Sequence, residues 1–447
     1  MPVLSSHLEI RRNRAIRLTV AASIGAKAFS VACTFAQVPL ALRYLGTEAY
    51  GFWVTLISII LVLNYIDFGL GVGMQHAMAK AYGGDDVESI KRTFWTGAAA
   101  LGILSLVLLA VGFAAVQLEP WADILRIRDP SLRTETAAAL SLTVVSFVVG
   151  LPFNAVSRLA AAVQRGWIHA GWIAAGSAIS LGFVTIAALL HWGFLWFLGA
   201  SLAVPALQGL GLLIHLFSSL GWSLKPTSLV PAAKLKGMLR SSIYSAFPQI
   251  GLALVQSAPA IAISVAAGSS GVTGYNLLIR IFSPFQQGQT ILLNPVWPAY
   301  IEAHSRSDHR WIVRTFWRTI AAYCAVSTGV AIVAWQSHLL LRIWIGSGAI
   351  LVGPALTTFI ALWSLLQMAS QPFIYYLMGV GRLRLLAWAV TPGLLLSAAA
   401  LFFGARSGSV IGVFEAGSAV MAITLLMPLA WVTFGVMRRR KIDGCAR

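Results

Sequence analysis

The sequence predicts an all-α protein that crosses a membrane twelve times. Three observations carry this. Hydrophobic residues fill 58% of the 447 positions and charged residues only 10%, against roughly 25% charge in ordinary soluble domains. Apolar runs long enough to span hydrocarbon, about 20 helical residues, recur along the whole chain. The basic residues gather in alternate segments between those runs, as residues that set membrane orientation do.

Taken in order, the runs are 18–42, 52–74, 94–116, 137–157, 170–190, 194–219, 242–267, 275–301, 312–336, 354–378, 385–404 and 409–437. The basic stretch Arg11, Arg12, Arg14, Arg17 leads straight into the first run without a small-residue cleavage pattern, so it flanks a retained span and is no signal peptide. Spans 5 and 6 are separated only by His191, Trp192 and Gly193. With the N-terminus placed in the cytoplasm, the inner segments hold 24 Lys and Arg and the outer segments 6, while Lys27 and Arg280 fall within spans. That bias puts both termini in the cytoplasm.

The longest polar inner stretch between spans, 220–241, carries Lys225, Pro226, Pro231, Lys234, Lys236 and Arg240. It divides the chain into an N-terminal lobe (1–219, spans 1–6), a linker (220–241) and a C-terminal lobe (242–447, spans 7–12). Each lobe places a proline near the outer end of its first helix (Pro39, Pro259), then a Gly-bounded tight turn (to Gly51, to Tyr275). That echo suggests a parallel duplication.

Several function classes are excluded. The net charge of +18 sits in short loops, whereas nucleic-acid binders cluster theirs on a solvated domain. Cys33 and Cys324 lie in apolar runs and Cys445 in the tail, so they form no framework. The eight histidines include no HExxH. No Walker motif and no nucleophile–base constellation is present, so neither an enzyme nor a cofactor or metal is expected.

Polar residues inside the membrane are costly and therefore informative. Span 1 carries Ser23, Lys27, Ser30, Thr34 and Gln37, at gaps that put all five on one helical face. Span 8 repeats this with Asn276, Arg280, Ser283, Gln287, Thr290 and Asn294. Span 7 adds Gln249 and Gln256 at compatible spacing, and span 10 adds Gln367 and Gln371. One or two such residues per helix would serve as hydrogen-bonding glue. Stripes through the whole thickness of two helices, spans 1 and 8, each with a full positive charge, are better explained by a water-filled cavity. Lys27 lies about 14 Å into span 1 and Arg280 about 8 Å from the outer end of span 8. Two acids reach membrane depth. Asp67 is a candidate to pair with Lys27, to cap span 2, or to titrate during transport; Glu415 is a candidate partner of Arg406.

The segment Leu45-Gly46-Thr47-Glu48-Ala49-Tyr50-Gly51-Phe52-Trp53, then Asn64-Tyr65-Ile66-Asp67-Phe68-Gly69-Leu70-Gly71, resembles the first two helices of bacterial polysaccharide-repeat-unit flippases. These are the O-antigen and exopolysaccharide translocases of the multidrug/oligosaccharidyl-lipid/polysaccharide (MOP) exporter superfamily. The resemblance is best over the first 90 or so residues; beyond them, span count, lobe division and length agree. It implies two six-helix lobes around a central cavity, a monomer in the bacterial inner membrane, and alternating access. The implied substrate is an undecaprenyl-diphosphate-linked oligosaccharide moved from the cytoplasmic to the periplasmic leaflet, with a polysaccharide polymerase and chain-length proteins as partners. Lys27 and Arg280 would then bind diphosphate, since cationic side chains suit phosphate oxygens. The rivals are a multidrug/cation antiporter of the same superfamily, which would want anionic groups, and a membrane-embedded polymerase. A polymerase would need larger outer loops than 117–136, the longest here.

The orientation is directly testable. A cysteine introduced near Ser131 should react with an impermeant reagent from the periplasm, and one near Ser228 should not; the reverse pattern would sink the topology.

Overall fold

The computed structural model describes residues 2–63, 70–226, 251–252, 254–293, 296, 300, 303–304, 308–346 and 353–445. Asp67, Gln249 and Asn294 lie outside the described residues, as does the side chain of Ser23. Among the described residues every regular element is a helix. The elements are α1 (Pro2–Leu63), α2 (Leu70–Gly83), α3 (Val87–Leu118), α4 (Trp121–Ile124), α5 (Pro130–Gly150), α6 (Asn154–Ala162), α7 (Gly166–Leu189) and α8 (Phe194–Leu220). There follow α9 (Leu254–Ala267), α10 (Ser269–Leu293), α11 (His309–Trp335), α12 (Ser337–Ile345), α13 (Pro354–Gly379), α14 (Leu383–Ala405), α15 (Val410–Met421) and α16 (Met427–Cys445).

Eight stretches among these residues are long and apolar enough to cross a membrane, and the chain is a multi-pass membrane protein. The first, Ile24–Leu61, runs on through two expected spans, because α1 breaks at a single residue. Gly46 has φ 76 and ψ 177, a conformation glycine adopts without steric cost, so the turn between spans 1 and 2 needs almost no loop. Two further helices, α10 and α13, are long enough at 25 and 26 residues but less apolar, because they carry the polar stripes. Span 4 is continuous from Pro130 to Ala162 through a 3-10 turn at Leu151–Phe153, where Pro152 lacks the N–H an α-turn needs. Span 12 is likewise continuous through a π-turn at Ala422–Leu426.

Tryptophan marks where helices meet the membrane surface. Trp196, Trp335, Trp388 and Trp431 are each about 80% exposed, and each lies toward the end of a span. Amphipathic indole rings collect at that level, with the N–H in the headgroups and the ring in the acyl chains.

The chain divides into two compact units. The first holds Met1–Ala49, Leu63–Ile124 and Arg128–Ala246; the second holds Tyr50–Val62, Leu125–Ile127 and Phe247–Arg447. Neither is a single block of sequence, since Tyr50–Val62 packs with the C-terminal half. Inside the first unit, glycines let helices approach closely, as in many membrane bundles. Gly176 of α7 lies under Gln208 of α8, and Gly211 of α8 under Trp172 of α7. Phe94, Trp95 and Phe217 form an aromatic cluster there. In the second unit α14 and α15 form a tight hairpin, Gly404 resting on the backbone of Gly412. Trp363, Phe414 and Tyr275 make one buried cluster, and Phe316, Phe373 and Tyr376 another.

The tightest approach of backbone to backbone among the described glycines is in the second unit. A Cβ on Gly51 would sit 1.6 Å from the carbonyl oxygen of Ser269, and backbone cannot step aside as a flexible side chain can. Gly51→Ala should therefore lower stability by at least about 1–3 kcal/mol, read as the melting temperature in detergent. Gly102→Ala, whose added methyl meets nothing within 4 Å, should melt with the parent. Equal melting of both variants would contradict this packing.

Candidate functional site

The polar face of α1 meets α7 within the first unit. Gln37 Nε2 donates to Ser180 Oγ at 3.1 Å, and the Ser177 and Ser30 hydroxyls are 2.8 Å apart. Thr34 Oγ1 donates back to the Ser30 carbonyl at 2.9 Å. Part of the stripe is thus bonded across or within helices. The remainder borders a polar cavity of about 220 Å³ lined by Thr34, Gln37, Gly176, Ser177, Ser180, Ser201, Val204, Pro205 and Gln208. Stripe and cavity coexist.

The cavity lining contains hydroxyls and carboxamides but no ionisable side chain. At about 30 Å³ per water it holds roughly seven waters, or one ring-sized polar group. Sequence reasoning found Thr34 and Gln37 but missed Ser177, Ser180, Ser201 and Gln208. The signal was there: 177 and 180 on α7, and 201, 205 and 208 on α8, repeat at the same 3- and 4-residue gaps, diluted by apolar neighbours.

Lys27 is exposed on α1, two turns before Thr34 on the same face, about 10 Å along the axis. No described carboxylate comes within 4.0 Å of it; the two ion pairs among the described residues are Arg92–Glu88 and Arg133–Asp123. Asp67, the expected partner, lies outside the described residues.

In the second unit the stripe of α10 is more tightly used. Asn276 was expected to line a cavity, yet it is only 7% exposed, and its Oδ1 accepts the Tyr50 hydroxyl at 2.7 Å. Ser283 Oγ donates to the Arg280 carbonyl and Thr290 Oγ1 to the Gln286 carbonyl. Such back-bonding lets Ser and Thr sit in hydrocarbon without any cavity. Arg280 is half-buried one turn beyond Asn276, with no described carboxylate in reach. Gln289, outside the expected stripe, is buried and donates to the Met368 carbonyl at 3.0 Å. Buried Gln287 Oε1, Gln289 Oε1 and Ser364 Oγ have no hydrogen-bond partner, so this interior holds acceptors to spare. Gln367 and Gln371 are half-buried on α13, Gln256 exposed on α9.

Glu415 is not paired with Arg406. The Arg406 guanidinium lies 5.6 Å from the centre of the Phe403 ring. Glu415 instead heads an exposed stripe with Ala419, Ile423, Met427 and Trp431, a lipid-facing pattern. Six residues into α15, its carboxylate is within reach of the interface by snorkelling. Among the described residues no three His, Cys, Asp or Glu side chains are placed to hold a metal ion.

The segment 45–51 proves to be built for packing. Gly46 makes the turn, Glu48 accepts the backbone N–H groups of Arg128 and Asp129, Tyr50 holds Asn276, and Gly51 rests on Ser269. The segment's described contacts are with the protein's own backbone and side chains.

No family model matches the chain, and no curated protein matches it. Solved structures do match. An inward-facing multidrug resistance MATE family transporter of the MOP superfamily is 13% identical, with a TM-score of 0.71 over 93% of this chain and 99% of that one. An outward-facing conformation of a MATE family transporter of the same superfamily is 14% identical, with a TM-score of 0.67 over 96% and 97%. A MOP superfamily transporter from Pyrococcus furiosus Vc1, whose binding pocket is described as reversed in polarity and suggestive of a different function, is 13% identical. Its TM-score is 0.65 over 96% and 97%. At such identities the likeness is one of fold: the chain has the two-lobed, all-helical MATE-type fold.

Proposed function

We propose that the chain is a MOP superfamily flippase that moves undecaprenyl-diphosphate-linked oligosaccharide repeat units across the inner membrane by alternating access. The observation that carries this reading is the polarity of the first unit's cavity. Its walls offer hydroxyls and carboxamides and no acid, with an unpaired described cation, Lys27, two turns away. A lipid-linked glycan has matching parts: neutral hydroxyls that need replacement hydrogen bonds, and a diphosphate that needs cations.

The reading also weighs against a pump for cationic drugs, although the matched structures include multidrug resistance transporters. A cation gains nothing from a neutral pocket beside an ammonium group, because it must shed hydration without an anion to compensate. The Pyrococcus furiosus protein is described as having a binding pocket of reversed polarity that suggests a different function. A cavity of about 220 Å³ takes a single sugar-sized group, not a whole repeat unit, so in this reading it grips one ring while the rest of the glycan lies elsewhere. The protein works as a monomer with both termini in the cytoplasm, performs no bond chemistry, and hands its product to a polymerase and chain-length proteins. Arg280 serves as a second diphosphate contact, and Asp67 either neutralises Lys27 or couples transport to protons.

Lys27 supplies the test. Lys27→Ala should lower polymer export strongly, and Lys27→Arg should retain more export than Lys27→Gln, with membrane abundance of all three near the parent's. That order separates a need for charge from a need for a hydrogen bond. Full export by Lys27→Gln would remove the diphosphate role.

A further inference from the structure

Helix α11 opens with three arginines four residues apart, Arg310, Arg314 and Arg318, all exposed. At that spacing they share one helix face over about 12 Å of axis. Like charges so placed repel one another. In the alternating topology span 12 runs opposite to span 9, so α16 brings a fourth, exposed Arg438, one turn beyond Phe434, to the same end. The Phe434 ring stacks on Trp317 with centroids 6.2 Å apart and planes 26° from parallel, which joins the two helices at this level. Trp317 itself is half-exposed.

Nothing described neutralises this patch. None of the four arginines has a described carboxylate within 4.0 Å. Asp308, at the head of α11, caps the helix through the Trp311 N–H and pairs with none of the four arginines. The contrast with α3 is instructive, because there Arg92 is paired with Glu88 and the Lys91 ammonium sits 5.3 Å over Trp222. The sequence then adds Arg439, Arg440 and Lys441 directly after the patch.

The setting is a lipid interface. Trp431, almost bare, lies seven residues before Arg438 on α16, about 10 Å further along the helix, on a stripe that faces acyl chains. Arginines at the rim above stacked, half-exposed aromatic rings present cations to the headgroup layer and an apolar surface to the tails. Guanidinium binds phosphate oxygens in bidentate fashion, and basic clusters at membrane level attract anionic lipid.

We propose that this face of the second unit is a binding site for an anionic phospholipid, its phosphate held by Arg310, Arg314, Arg318 and Arg438 and its acyl chains lying along the Trp317–Phe434 stack. The site is independent of what the protein transports. The bound headgroup relieves the repulsion along α11 and ties α11 to α16.

The test uses the purified full-length protein in detergent, titrated with phosphatidylglycerol or phosphatidylcholine and followed by native mass spectrometry, with inorganic phosphate as competitor. The parent should hold phosphatidylglycerol about tenfold more tightly than phosphatidylcholine, and millimolar inorganic phosphate should not displace it. The triple variant R310Q/R314Q/R318Q should lose that preference, Arg438→Gln alone should lose part of it, and K80Q/K91Q/K225Q on the first unit should keep it. Equal binding of the two lipids by the parent, or equal loss in the K80Q/K91Q/K225Q protein, would overturn the proposal. Displacement by inorganic phosphate would assign the patch to a free anion instead. If the triple variant does not fold, Arg438→Gln decides, and an unchanged preference there counts against the site.

Discussion

Hydrocarbon offers a polar group no partner, so each one in a membrane span must find its hydrogen bond within the protein, reach the interface, or border a polar space. Most of this structure is a set of answers to that demand. Ser283, Thr290 and Thr34 bond to carbonyls of their own helices. Tyr50 and Asn276 satisfy each other, as Gln37 and Ser180 do. Glu415 and the four bare tryptophans lie toward helix ends. Among the groups left over are those of the cavity among α1, α7 and α8 and the spare acceptors near Gln287 and Gln289, and in the proposed reading a ligand's own polar groups are their missing partners.

The same demand explains how far the sequence could be read. Apolar runs and turn glycines are local signals, so the helices α3, α5–α8, α10, α11 and α13–α16 fall where length and hydropathy put them, whereas α12 lies in what hydropathy leaves as a loop. The Gly-bounded turn between spans 1 and 2 was legible for the same reason, although which glycine breaks the helix was not. Partnership is not local. Asn276 and Arg280 sit on one periodic stripe, yet Asn276 is consumed by a tyrosine 226 positions away. No spacing rule distinguishes a side chain that faces a cavity from one that faces such a partner. Likewise, Tyr50–Val62 packs with the C-terminal half because Gly51 permits backbone contact with Ser269, which hydropathy cannot register. The serines of α7 and α8 were visible in principle, but two or three hydroxyls per helix look the same whether they bond a neighbour or line a space.

Charge then separates the uses to which such a fold can be put. The cavity of the first unit is polar without being ionic, and Lys27 stands above it without a described counter-charge. The arginine row of α11 repeats that imbalance at the membrane surface. Both features favour anions: in the proposed reading, a diphosphate within the transport path and a phospholipid on the outside of the second unit. The resemblance carried by residues 45–71 implies the same substrate class, although the described contacts of Glu48, Tyr50 and Gly51 are all within the protein.

The central claim is the sign and kind of substrate, and one measurement addresses it most directly. The purified protein in liposomes is offered a fluorescent polyprenyl-diphosphate oligosaccharide in the membrane and, separately, the cationic dye ethidium in the lumen. The account predicts protein-dependent movement of the glycan lipid between leaflets and no movement of ethidium. Ethidium transport with an immobile glycan lipid would contradict it and make the chain a cation exporter.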